Sequence, residues 1–205
     1  SIDAYARLVV ALLDQLGVPQ VVLAGNSLGG QIAWATAATY PQRVAKLVLV
    51  DAAGYPFEPT AIPLAFQVAR LPWLAPLLQH TLPRGVVESS VRNVYGDPAK
   101  VTPELVDLYA DMALREGNRR ALGVRMALPR AVGPERIATL TLPTLILWGG
   151  QDRLIPTDNA QRFAHDIAGS QLVVFDALGH VPQEEDPAAT VAVVKHFLGL
   201  LAPRD

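Results

Sequence analysis

Three side chains of complementary chemistry stand at equivalent places along this chain. Ser27 lies in Gly25-Asn26-Ser27-Leu28-Gly29-Gly30, Asp152 in Gly149-Gly150-Gln151-Asp152-Arg153, and His180 in Leu178-Gly179-His180-Val181-Pro182. Each follows an apolar run through one or more glycines. A serine hydroxyl is a weak nucleophile until a base takes its proton, and an imidazole serves as that base when a carboxylate holds it in one tautomer. Brought together, the three could carry out acyl transfer.

The setting of Ser27 is the most specific of the three. A β-branched run, Val21-Val22-Leu23-Ala24, turns sharply at Gly-Asn-Ser-Leu-Gly-Gly and continues into the alanine-rich Gln31-Ile32-Ala33. That order predicts strand, tight turn and helix, with Ser27 in a strained backbone conformation at the turn. Gly25 and Gly29 are expected to lack side chains because a Cβ there would collide with the crossing strand and helix. The backbone amide of Leu28, first at the helix start, would stabilise a developing oxyanion. A phosphate-cradling loop fits less well, since no Lys follows the glycines and the G-x-G-x-x-G spacing is absent.

The flanking elements must place these residues on one rim. Residues 3–16 have apolar side chains at Tyr5, Leu8, Val9, Leu12, Leu13 and Leu16, predicting a helix capped by Asp3 and ended by Gly17. Strands are expected at 21–24, 47–50, 144–148 and 172–175, and helices at 31–40, 159–167 and 187–201, the last burying Val191, Val194, Phe197 and Leu198. Such alternation predicts an α/β fold, a parallel sheet covered by helices on both faces. In a parallel sheet the loops after the strands leave from one edge, where ligands of open α/β sheets bind. Ser27, Asp152 and His180 would meet there.

Residues 52–135 differ in texture. Prolines recur at 56, 59, 63, 72, 76, 83, 98 and 103, and short helical patterns fall at 64–69, 73–78, 104–114 and 119–126. We expect an all-helical insertion, a lid at 54–135, between core parts at 1–53 and 136–205. Phe57, Phe66, Trp73 and Leu77 are apolar candidates for a substrate pocket, together with Asn26 and Val181 beside the proposed nucleophile and base. An aromatic stripe at helical spacing also serves simple packing.

Two assignments have rivals. Asp51 also ends a strand at the same edge, but the glycine-flanked setting of Asp152 favours the latter as the acid. Asp158 is better placed than Asp152 to cap the helix that begins near 159. Among the other histidines, His165 and His196 lie within predicted helices and His80 within the insertion.

Composition limits the alternatives. The 205 residues are 51% hydrophobic and 18% charged with a formal net charge of −2, which describes a globular chain with no basic field for nucleic acid. Cysteine is absent, which excludes disulfides and thiolate chemistry and leads us to expect a cytoplasmic protein. Residues 61–78 are too broken by Pro63, Arg70, Pro72 and Pro76 to span a membrane. No His/Asp spacing suggests a metal site, and no cofactor is expected.

The Gly25–Gly30 motif, the segment from Trp148 to Arg153 and the run Leu178-Gly179-His180-Val181-Pro182-Gln183-Glu184-Glu185-Asp186-Pro187 resemble the α/β-hydrolase superfamily, in its esterase-like branch. The resemblance extends from Ser1 to the last helix, with the insertion matched only in character. It implies a serine hydrolase acting without cofactor on carboxylic esters of small or medium apolar substrates. Ser27 would be the nucleophile, His180 the base, Asp152 the acid and Leu28 N–H an oxyanion donor. A sister branch hydrolyses carbon–carbon bonds of ring-fission products and usually has Trp where this chain has Val181. Perhydrolysis by the same three residues is a further chemical option. The resemblance also implies strands before the first helix and a loop giving a second oxyanion amide. Neither is seen in this sequence, so we expect an incomplete sheet that associates with a complementing N-terminal fragment or with a second copy.

Overall fold

The structure, a computed structural model, describes residues 1–64, 67, 82–127 and 133–200. The chain begins with helix α1 (Ile2–Gln15), followed by strand β1 (Val21–Asn26), helix α2 (Leu28–Thr39) and strand β2 (Val44–Val50). Among the described residues, three α-helices precede the next strand: α3 (Arg84–Val94), α4 (Pro103–Leu114) and α5 (Asn118–Ala127). The remainder is β3 (Thr144–Gly149), α6 (Asp158–Asp166), β4 (Gln171–Phe175), the short α7 (Pro182–Glu185) and α8 (Pro187–Leu198).

The four strands form one sheet in the order β1-β2-β3-β4, parallel throughout. Register aligns their carboxyl ends, with Asn26 opposite Val50, Val50 opposite Leu147, and Gly149 opposite Phe175. The loops that carry Ser27, Asp51, Asp152 and His180 therefore leave from the same edge. Every residue of β3 is buried, the pattern of a strand covered on both faces. On one face Leu47, Leu49, Ile146 and Trp148 pack against Trp34 of α2 and Phe163 of α6. On the other, Val48, Val50, Leu145 and Leu147 meet Val193, Val194 and Phe197 of α8. Each such side chain contributes about 1.5–3 kcal/mol when fully withdrawn from water.

Between β2 and β3 the described residues contain no strand, as the proline-broken texture predicts. Helix α4 matches the expected 104–114 and α5 the expected 119–126, while the patterns at 73–78 and most of 64–69 lie outside the described residues. Helix α3 was not anticipated. Its buried residues Val87 and Val91 join Tyr95, Val101, Val106 and Val181 in a separate apolar cluster. The i, i+4, i+8 spacing of Val87, Val91 and Tyr95 was its available sequence signal.

Three local expectations are corrected. The N-cap of α1 is Ser1, whose Oγ accepts from the Ala4 amide at 3.3 Å, and Asp3 lies in the first turn. The apolar stripe of α1 is also buried only in part: Leu13 is buried together with Ile2 and Ala6, while Leu8, Leu12 and Leu16 are 64%, 52% and 63% exposed. Tyr5 and Leu8 of the stripe line a cavity shared with Arg120, Ala121 and Val124 of α5. In α8, Val191 is exposed, with Val194 and Phe197 facing the sheet.

Candidate active site

The turn between β1 and α2 places Ser27 at φ 54 and ψ −115, one of two non-glycine residues with positive φ among the described residues. Such a conformation costs on the order of 1–3 kcal/mol and needs surroundings that enforce it. Here those are supplied by the end of β2 and the loop beyond it. The Ser27 amide donates to the Val50 carbonyl at 2.9 Å, and the Ser27 carbonyl accepts from Gln31 N at 3.1 Å and Ala53 N at 3.0 Å. Crossing the strand and helix so closely leaves no room for a side chain at Gly25, where a Cβ would overlap the Gly29 backbone. Gly29 itself is different, since a Cβ there meets nothing within 4 Å. The second tight position is Gly30, where a Cβ would lie 2.5 Å from that of Ala52. Ser27 and Leu28 are half-buried, and Leu28 is the first residue of α2, where amides have no acceptor within the helix.

The loops after β3 and β4 are built as one unit. Gly150 N donates to Phe175 O and Gln151 N to Leu178 O, both at 2.8 Å. At Gly149 a Cβ would overlap the Gly179 carbonyl, so this interlocking requires glycine. The result brings His180 Nδ1 to 2.7 Å from Asp152 Oδ2, with both residues buried. The other Asp152 oxygen, Oδ1, accepts from Leu154 N at 2.8 Å and Ile155 N at 3.0 Å, which fixes the carboxylate plane. Asp158 does not cap α6 as expected. Thr157 occupies the N-cap and Asp158 the first turn, where its charge suits the helix dipole.

His180 is held at both ends of its backbone. Its amide donates to Val94 O at 2.8 Å, and its carbonyl accepts from Asn26 Nδ2 at 2.9 Å. Asn26 Nδ2 also donates to Val50 O at 3.2 Å. The residue before Ser27 thus ties the histidine loop to the elbow. Of the other pocket candidates, Phe57 is half-buried against the main core and Val181 is buried in the cluster with α3 and α4. Phe66, Trp73 and Leu77 lie outside the described residues, as does His80. His165 and His196 are exposed.

Two neighbouring glutamates were missed from sequence. Glu185 Oε1 accepts from Gly179 N at 2.6 Å and Oε2 from Gly96 N at 2.9 Å, clamping the histidine loop to the segment after α3. Glu184 accepts from Tyr95 Oη at 3.2 Å and from Tyr109 Oη at 2.9 Å. Burial, and next the adjacent Glu184 charge, push both tyrosine hydroxyls well above their ordinary range, so they remain donors. Their only sequence signal was a Glu-Glu pair four and five residues after the candidate base.

Asp51, the rival acid, also sits in this nest. Its backbone has φ 43, its side chain is fully buried, and Oδ1 accepts from Gly149 N at 2.9 Å. Although sequence spacing offered no ligand cluster, folding brings donor atoms of Asp51, Asp152 and His180 within 4.8 Å of one another. Within the trio, His180 Nδ1 is engaged by Asp152 and Asp51 Oδ1 by the Gly149 amide. A cavity of about 480 Å³ between α1 and α5 touches none of them and is lined by residues such as Tyr5, Leu8, Arg120 and Val124. No described helix is long and apolar enough to cross a membrane.

A parallel sheet with helices on both faces agrees with comparison to known proteins. The profile of the α/β hydrolase fold matches residues 1–187, and the chain belongs to that family. It is 32% identical to a 2-hydroxy-6-oxononadienedioate/2-hydroxy-6-oxononatrienedioate hydrolase of Cupriavidus pinatubonensis, over 94% of this chain and 67% of the relative. Among solved structures it is similar to a meta-cleavage product hydrolase from Pseudomonas fluorescens, with TM-score 0.82, 28% identity and coverage of 97% of this chain and 72% of that one. It is also similar to a thermophilic esterase from Thermogutta terrifontis, with TM-score 0.76, 27% identity and coverage of 97% and 72%. The chain spans 63% of the length of three mycobacterial relatives that it also matches.

Proposed function

We propose that this hydrolase acts through Ser27, His180 and Asp152 on carboxylic esters of small to medium apolar substrates. The buried 2.7 Å pairing of His180 Nδ1 with Asp152, tied to the elbow by Asn26, is the observation that carries this reading. Ser27 Oγ attacks the ester carbonyl while His180 Nε2 takes its proton. The tetrahedral oxyanion is met by the Leu28 N–H. As the C–O bond breaks, the proton passes from His180 to the departing alcohol and leaves an acyl-serine. Water then attacks the acyl carbon, with His180 again as base, and releases the acid and free Ser27. Asp152 keeps Nδ1 protonated and offsets the imidazolium charge. Residues 54–135 act as a lid over core parts 1–53 and 136–205, and no cofactor takes part.

A second reading, hydrolysis of a carbon–carbon bond in ring-fission products, is favoured by the meta-cleavage hydrolases among the relatives and by the same three residues. Val181, where that branch usually has Trp, speaks against it. Comparing turnover of a nitrophenyl ester with that of a vinylogous diketoacid separates the two. The outer edge of β1 and the exposed stripe of α1 further suggest association with a complementing N-terminal segment or a second copy.

The nucleophile is tested by reaction with a fluorophosphonate and mapping of the labelled peptide. We expect a single adduct on Ser27, lost in Ser27→Ala. Label elsewhere, or undiminished ester hydrolysis by that variant, overturns the assignment.

A further inference from the structure

The ionisable group left unused by this chemistry is Asp51. Three carboxyls converge on the histidine loop: Asp51, Asp152 and Glu185, all buried. A carboxylate out of water needs donors on both oxygens. Asp152 has them, accepting from two backbone amides and from His180. So has Glu185, with an amide on each oxygen. Asp51 has one amide on Oδ1, while Oδ2 is buried and receives no hydrogen bond. Of the three it is the least suited to bear a charge, and its neighbour Asp152 is an anion in the proposed chemistry. One proton shared between two adjacent carboxyls relieves both the bare oxygen and the repulsion.

We propose that Asp51 is a neutral carboxylic acid whose Oδ2 proton is directed at Asp152, making it a positioning residue that sets how strongly Asp152 holds the His180 imidazole. The role of the pair in hydrolysis rests on the function proposed above, but the protonation of Asp51 does not. Burial first, and the Asp152 charge next, raise the Asp51 carboxyl well above its ordinary range, with Glu185 adding to the same effect. Its proton gives Asp152 a donor beyond the two amides and the imidazole. The carboxylate is thereby held in plane and its pull on the imidazolium is moderated.

Infrared spectra of the chain labelled with ¹³C at the aspartate carboxyls test the protonation. A band of a protonated carboxyl is expected at neutral pH in the wild type and absent in Asp51→Asn. No such band, or one that persists in the variant, overturns the proposal. The rate of fluorophosphonate labelling against pH tests the positioning. Asp51→Asn keeps a neutral N–H donor, so its acid limb should coincide with that of the wild type and its rate stay within about threefold. Asp51→Ala removes the donor, so the limb should move up by about half a unit to one unit and the rate fall about tenfold. A limb that moves down in Asp51→Asn identifies Asp51 as an anion and overturns the proposal, as does an unmoved limb in Asp51→Ala. Should Asp51→Ala fail to fold, the wild-type band and the Asp51→Asn profile still decide. If the band is present but Ser27 is never labelled, the serine-hydrolase reading fails and the neutral Asp51 stands.

Discussion

At Gly25 and Gly29 the same residue type performs unlike tasks. Gly25→Ala forces a Cβ into the Gly29 backbone, so we expect a loss of more than about 3 kcal/mol in urea denaturation, or no folded protein. Gly29→Ala places its methyl in open space on a helix, so stability should be unchanged or rise by about 0.5–1 kcal/mol. Glu185 offers a second contrast, because both its oxygens accept from backbone amides. In Glu185→Gln one side-chain NH₂ must face an amide N–H, which costs about 1–3 kcal/mol and loosens the loop that carries His180. The same denaturation measurement reads this loss, and fluorophosphonate labelling should slow with it. Asp51 makes a pH-dependent contribution. Its carboxyl is raised in the folded state above the ordinary 3.8, so the native chain binds more protons than the unfolded chain once pH exceeds that value. Its effect on stability is therefore most favourable below about pH 4 and is progressively lost as pH rises towards its folded value. Melting temperature followed from pH 4 upward should decline less steeply in Asp51→Asn than in the wild type.

Among the described residues, α3, α4 and the segment after α3 are tied to the histidine loop and α7 by contacts that cluster around His180. Val94 O receives the His180 amide, Gly96 N reaches Glu185, and Tyr95 and Tyr109 both donate to Glu184. Val181 adds an apolar anchor in the cluster formed by Val87, Val91 and Val106. These contacts give the proposed lid a direct physical link to the proposed base. Removing both hydroxyls, in Tyr95→Phe combined with Tyr109→Phe, leaves the Glu184 carboxylate without these donors. We expect faster amide hydrogen exchange in α3 and α4, with protection of β2 and β3 unchanged. Equal acceleration throughout would show that the segment has no independent stability.

Among the described residues the sheet is well covered at β3 and open along the outer side of β1. Val22 is 45% exposed, Ala24 is exposed beside it, and Leu8, Leu12 and Leu16 of α1 lie uncovered. A parallel strand with an unpaired outer edge and nearby apolar side chains favours association. Light scattering should therefore show species larger than a monomer for the chain alone, and Leu8→Lys with Leu12→Lys should shift them towards monomer. A monodisperse monomer of the unaltered chain would refute this expectation.

Much of this arrangement can be read without coordinates because it is local. The β-branched run, glycine turn and alanine-rich helix around Ser27 need only neighbours in sequence, and the alternation of strand and helix implies parallel strands whose following loops share an edge. Other features depend on groups distant in sequence, and there local patterns were silent or misleading. Asp51 and Asp152 both follow strands at the same rim, and where the sequence offered only the glycine-flanked setting of Asp152 to separate them, the fold adds its pairing with His180 Nδ1. The stripe on α1 has the spacing of a buried face, yet burial requires an opposing surface, which periodicity cannot supply. Asn26, Glu184 and Glu185 acquire their roles from carbonyls, amides and hydroxyls that arrive from other elements. Hydrogen bonding across such separations is decided when the chain packs, since each partner is positioned by a different strand or helix.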